Sequence, residues 1–268
     1  MASFLDDMIV RRTMRIAAEY GDLTPADRER LACCSRPVRD FASALRDRAD
    51  IAVIAEIKKA SPSAGPIAPG CEASKQALHY QDGGAAAISV LTEPESFGGS
   101  FADLSDVADA VDIPVLCKDF VVDPVQLFVA RGHGADAVLL MVSVLGSQTA
   151  EYVDLAETLG MTPLVEVITS AEFAIALKAG ARVIAVNSRS LHSLAVDAEA
   201  ARALVSEAAA AGAIVVAASG TKSRADVAAS AAAGADAVLV GEALMREAFP
   251  EDLLEELTGV ARRAPVSG

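Results

Sequence analysis

From residue 51 onward the chain alternates two rhythms. Short apolar runs, IAVIAE (51–56), AAISVL (86–91), IPVLCK (113–118), DAVLLM (136–141), TPLVEV (162–167), RVIAVN (182–187), AIVVAA (213–218) and DAVLVG (236–241), each fit a strand buried on both faces. Between them lie Ala-rich amphipathic stretches such as PVQLFVARGHGA and SAEFAIALKAGA. Gly134, Gly180, Gly212 and Gly234 stand just before the next run, where a helix stops. Eight strand–helix alternations predict an α/β fold of the (β/α)₈ TIM-barrel type. A doubly wound open sheet is the rival architecture, but no G-x-G-x-x-G follows the first run.

The first fifty residues show helical spacing and no strand pattern. Thr24-Pro25 offers a capping oxygen followed by proline at the first helical position. Apolar positions then recur through Leu31 and again through Val38, Phe41 and Leu45. The expected organisation is an N-terminal helical extension (1–50) packed on a barrel catalytic domain (51–262), with a flexible tail over 263–268.

Composition narrows the picture. Of 268 residues, 53 % are hydrophobic but only 4 % aromatic, with no Trp, so small aliphatics must fill the core. A formal charge of −14 argues against nucleic acid or an anionic membrane as partner, though local lysines can still hold a small anion. Adjacent Cys33 and Cys34, with Cys71 and Cys117, have neither metal-ligand spacing nor a disulfide framework. His79, His133 and His192 are scattered. Reduced thiols, no metal and a cytoplasmic location are expected. No run approaches a membrane span, and the acid-containing N-terminus does not read as a secretion signal. A monomer with no fused second enzyme is expected.

Barrel enzymes place their chemistry at the C-terminal ends of the strands. Reading only those positions gives Glu56 and Lys58, then Thr92 and Glu93, then Lys118, Asp119 and Phe120. Further on come Glu166, Asn187 with Arg189, Ser219 with Gly220, and Gly241. The loops AASGTKS and LVGEALM each pair a glycine with a following helix start, where backbone N–H groups can hold a phosphate. Acid–base work is suggested by the lysines and Glu166. Burial or a neighbouring cation could lower Lys118 or Lys58 toward neutral pH, and an apolar strand could raise Glu166. Schiff-base chemistry stays open. Lys59 reads as a solvated neighbour, and Asp119 as a partner for one of the lysines.

These residues, in this order, resemble the indole-3-glycerol phosphate synthase family. The match runs through AEIKKASPSAG, SVLTEPESFGGS, PVLCKDFVVD, GADAVLL, LVEV, VNSRSL, SGT and VLVGEALM, and includes the helical segment ending in RPVRDFASAL. The combination of EIKKASPS with KDF is highly specific. The resemblance implies a (β/α)₈ barrel whose helical extension closes over the mouth. It implies ring closure of 1-(2-carboxyphenylamino)-1-deoxyribulose 5-phosphate, with loss of carbon dioxide and water, in the tryptophan pathway, without metal or organic cofactor. By the same resemblance Lys118 is the acid that protonates the substrate carbonyl, and Lys58 is a second cation positioned by Glu56. Glu166 is the acid–base partner for later proton removal, and Asn187 orients the intermediate. Phe120 and Leu139 wall the anthranilate ring. Ser219, Gly220 and Gly241 grip the phosphate, while Ser61 and Arg189 contact anions. Phe97, Leu239 and Glu242 complete the substrate-binding set.

The chain departs from the family pattern at NSRSL, where Ser188 and Ser190 are unusual, and at Ala218-Ser219-Gly220-Thr221, where a glutamate usually precedes the serine. It departs again at Ser96 and Cys117, where larger residues are common. These changes bear on rate and exact substrate more than on reaction class. Three alternatives stand beside the synthase: a paralogue acting on a substituted anthranilate-derived sugar phosphate, a phosphosugar isomerase such as phosphoribosylanthranilate isomerase, and a non-catalytic phosphate-binding barrel.

Overall fold

A computed structural model describes residues 3–33, 36–189 and 196–262. Cys34, Ser190, His192 and the tail 263–268 lie outside the described residues. Eight parallel strands close into a barrel: β1 (Ala52–Ile57), β2 (Ala87–Leu91), β3 (Val115–Lys118), β4 (Ala137–Met141), β5 (Thr162–Val167), β6 (Val183–Asn187), β7 (Ile214–Ala218) and β8 (Ala237–Val240). Each pairs with its sequence neighbour, and β1 pairs with β8 to shut the ring. Parallel strands covered on both faces carry continuous apolar runs, which explains why each run in the sequence falls within two residues of a strand. Ala52, Ile54, Leu116, Leu164, Val216 and Leu239 belong to the cluster that fills the inside of the ring.

The extension forms three helices, α1 (Phe4–Tyr20), α2 (Pro25–Leu31) and α3 (Phe41–Arg46). Ser3 and Asp6 close a capping box on α1, and Thr24 and Asp27 another on α2. The extension reaches both ends of the barrel rather than the mouth alone. Phe4 lines the mouth, whereas Phe41 and Leu45 of α3 plug the base against the opening residues of the strands. Arg39 secures this plug: its backbone N–H and Nε donate to the two oxygens of buried Asp136, at 2.9 and 2.8 Å.

Asp136 and Asp236 end the same tripeptide, Gly-Ala-Asp, one before β4 and one before β8. Each accepts the N–H of the strand alongside, Val115 at 2.8 Å and Val215 at 2.7 Å. The two base carboxylates thus set the start of two strand pairs.

Candidate active site

Every residue to which the family resemblance gives a catalytic or substrate-binding role lines one cavity of about 410 Å³ at the C-terminal ends of the strands. Glu56 closes its floor. The carboxylate is 1 % exposed and lies 2.9 Å from both Lys58 Nζ and Lys118 Nζ. Burial pushes Glu56 up, but the charges of Lys118 and Lys58 outweigh it and hold the carboxyl down to about 2. The lysines therefore share one buried anion between them.

Lys118 corrects a sequence expectation. Burial works against its ammonium, yet Glu56 and Glu166 together more than offset this and push Lys118 above the ordinary lysine value. An ammonium held charged at neutral pH can give a proton or pair with an anion; it is not the neutral amine that Schiff-base chemistry needs. Glu166 moves as its strand suggests: burial pushes it up, and Lys118 and a hydrogen bond from Asn187 take back only part of the rise. Asn187 is itself oriented, its Oδ1 accepting from Ser219 Oγ at 2.8 Å and from the Arg189 N–H at 3.0 Å.

The far side is apolar. Phe97 and Phe120 stand with ring centroids 6.1 Å apart, tilted at 42°, Leu91, Leu139 and Met141 continue the wall, and Leu239 faces it from β8 across the ring. A flat aromatic ligand fits such a wall. The opposite rim is built from two turns. Ser219 is the non-glycine residue in left-handed backbone among those described, at φ 69°, followed by Gly220 at φ 88°. Holding a serine there costs about 1–3 kcal/mol and points to a functional constraint. After β8, Gly241 begins the short helix Glu242–Arg246, which has no side-chain cap, so its first N–H groups suit an anion.

Three expectations change on inspection. The helix after β7 (Arg224–Ala233) has its first turn capped by its own Ser223 and Asp226, and the turn Ser219–Lys222, not the helix, lines the cavity. Asp119 pairs with Arg12 of α1 rather than with a lysine, at 2.5 Å. Lys59 is no solvated neighbour; its Nζ donates to both oxygens of Asp103, at 2.7 and 2.8 Å. Thr92 and Glu93 stay out of the cavity wall. Thr92 donates to Asp119, and Glu93 caps the helix Pro94–Phe97 by accepting three backbone N–H groups.

Phe4, Lys222 and Arg246 also line the cavity and were not anticipated. Lys222 sits in the first loop already marked as phosphate-holding and Arg246 directly follows the second, which was the available signal. Phe4 arrives by tertiary packing and has no local signature. At the departures from the family pattern, Ser188 Oγ donates to the Ser219 carbonyl at 3.3 Å, Ser96 Oγ to Met8 Sδ at 3.3 Å, and Cys117 is fully buried with burial pushing its thiol up to about 12.

A family model for indole-3-glycerol phosphate synthase matches residues 5–257. The indole-3-glycerol phosphate synthase of Mycobacterium tuberculosis (strain H37Rv) is 44 % identical over 257 residues, spanning 96 % of this chain and 94 % of that protein. That of Mycobacterium ulcerans is 45 % identical over the same extent. Among solved structures, a 3-hexulose-6-phosphate synthase superposes with a TM-score of 0.63 at 19 % identity, covering 77 % of this chain and 98 % of that one. A thiamine phosphate pyrophosphorylase from Pyrococcus furiosus gives 0.59 at 16 %, covering 81 % and 96 %. These two likenesses speak to the barrel fold.

Proposed function

The chain belongs to the indole-3-glycerol phosphate synthase family, and from that premise we propose that its cavity converts 1-(2-carboxyphenylamino)-1-deoxyribulose 5-phosphate to indole-3-glycerol phosphate. The reaction makes it a carbon–carbon lyase, releasing carbon dioxide and water. The observation that carries this reading is the Glu56–Lys58–Lys118 cluster beneath an aromatic wall, with Glu166 within the field of Lys118.

The phosphate binds across the turns at Ser219–Gly220 and Gly241–Glu242, with Lys222 and Arg246 adding positive charge. The anthranilate ring lies against Phe97, Phe120 and Leu139, which brings its carboxyl-bearing carbon toward the ribulose carbonyl. Attack by that carbon puts negative charge on the carbonyl oxygen. Lys118, held protonated by two carboxylates, gives this oxygen a proton. General acid help of this kind is worth ~10²–10⁴ in rate. Lys58 faces the substrate carboxylate until carbon dioxide leaves and the ring regains aromaticity. The hydroxyl then departs as water, taking a proton from Lys58. Glu166 removes a proton from the carbon beside the ring nitrogen to set the indole double bond, and Asn187 holds the intermediate in line. Glu56 moves no proton; it keeps two ammonium groups side by side.

Incubating the purified chain with the carboxyphenylamino deoxyribulose phosphate tests the reading. Indole fluorescence and stoichiometric carbon dioxide are expected. Binding without product would turn attention to anthranilates substituted near Ser96 and Ser188, and neither binding nor product would overturn the reading.

A further inference from the structure

The buried face of α1 runs Leu5, Met8, Arg12, Ile16, positions that share one side of a helix. In this otherwise apolar stripe Arg12 is only 3 % exposed. Burying an ion pair carries a large solvation cost, and apolar residues of similar size are often as good or better for stability. Stability is therefore a weak reason for Arg12, and its contacts supply a stronger one. Nε donates to Asp119 Oδ1 at 3.0 Å and Nη2 to Oδ2 at 2.5 Å, a two-pronged contact that fixes the carboxylate in position and orientation.

The remaining capacity of that carboxylate is used on the reaction side. Oδ2 accepts from Thr92 Oγ1, and Oδ1 from the Phe120 N–H, both at 2.8 Å. One carboxylate thus ties α1, the residue after β2 and the turn after β3. Lys118 precedes Asp119 and Phe120 follows it, and both line the cavity. The Lys118 carbonyl also accepts the Thr92 N–H at 3.1 Å, so the root of the lysine is held from two directions.

We propose that Arg12 is a positioning residue for ring closure: acting through Asp119, it fixes the backbone from which Lys118 and Phe120 reach the substrate. The inference rests on the reading of Lys118 as the acid. Misplacing a catalytic group by about 1 Å costs ~10² in rate, so the length and shape of the Arg12 side chain matter as well as its charge. Lysine at position 12 keeps the charge and loses the fork; glutamine loses both.

Single-turnover indole formation, with enzyme in excess, reads this directly at 25 °C on variants shown to melt well above that temperature. The chain has no Trp, so product fluorescence carries no protein tryptophan background. Arg12→Lys is expected to slow the step about threefold to tenfold and Arg12→Gln about 10²-fold, with half-saturating substrate shifted less than threefold. A purely structural pair would lower the melting midpoint and leave the step within twofold of wild type, which overturns the proposal. Should Arg12→Gln not fold, Arg12→Lys decides by the same criterion. A wild type that forms no indole overturns the functional reading and this inference with it; an active wild type beside an equally active, folded variant overturns the inference alone.

Discussion

Gly241 was singled out as a residue whose bare backbone lets a phosphate approach. The packing gives it a second task, since a Cβ there would lie 2.4 Å from Glu56 Oε1. Gly241→Ala is expected to displace the carboxylate that both lysines share and to lower kcat about 10²-fold. Measuring kcat beside the melting midpoint checks this, and a folded alanine variant with wild-type kcat would show that the floor of the site tolerates the methyl. The titrating pair gives a pH expectation. Glu166 must be ionised to take a proton, and its raised value moves the acid limb of kcat/KM above the ordinary carboxylate range. Lys118 must stay protonated, and its raised value puts the alkaline limb beyond the ordinary lysine range. Glu166→Gln should remove the acid limb while leaving the protein folded. For stability the sign runs the other way at Glu56. Its carboxyl is held at about 2 against 4.5, so its contribution is full above about 4.5 and is lost as pH falls through about 2.

At the scale of elements, the barrel strands and the helices between them could be read in advance. The reason is physical: strands buried on both faces give unbroken apolar runs, and glycine marks the helix ends. Shorter pieces could not. The hairpin Ala60–Ser61 with Gly65–Pro66 and the helices Pro94–Phe97 and Val142–Leu145 are too brief to show a period. Glu93-Pro94 does carry a helix-start signal, yet an acid at a strand end reads equally well as a catalytic group. The split of the extension between mouth and base was also hidden, because Arg39–Asp136 and Arg12–Asp119 join residues about a hundred positions apart. Asp136→Ala tests the base element by itself. Removing a fully buried carboxylate that serves Arg39 and Val115 should cost on the order of 3 kcal/mol in denaturant unfolding. At 25 °C kcat should not change, because the residue lies at the end of the barrel away from the cavity. A fall in kcat would mean that the plug and the site are coupled.

Taken as a whole molecule, the protein is strongly acidic yet gathers five cationic side chains around one cavity. The net charge of −14 gave no hint of an anionic substrate; the local placement of Lys58, Lys118, Arg189, Lys222 and Arg246 around one cavity supplies what the sum conceals. The ring of strand ends was legible because a barrel gathers residues that are dispersed in sequence. The state of charge within it was not, since the upward shift of Lys118 depends on Glu56 and Glu166, whose distances no sequence spacing contains. In the proposed reaction this charged ammonium is the acid for ring closure. Turnover of the carboxyphenylamino deoxyribulose phosphate by wild type and by Lys118→Ala, followed by indole fluorescence, addresses it most directly. Indole from the wild type and a loss of about 10²–10⁴ in kcat for a folded Lys118→Ala is the expected result. A folded Lys118→Ala that forms indole within tenfold of the wild-type rate would contradict it.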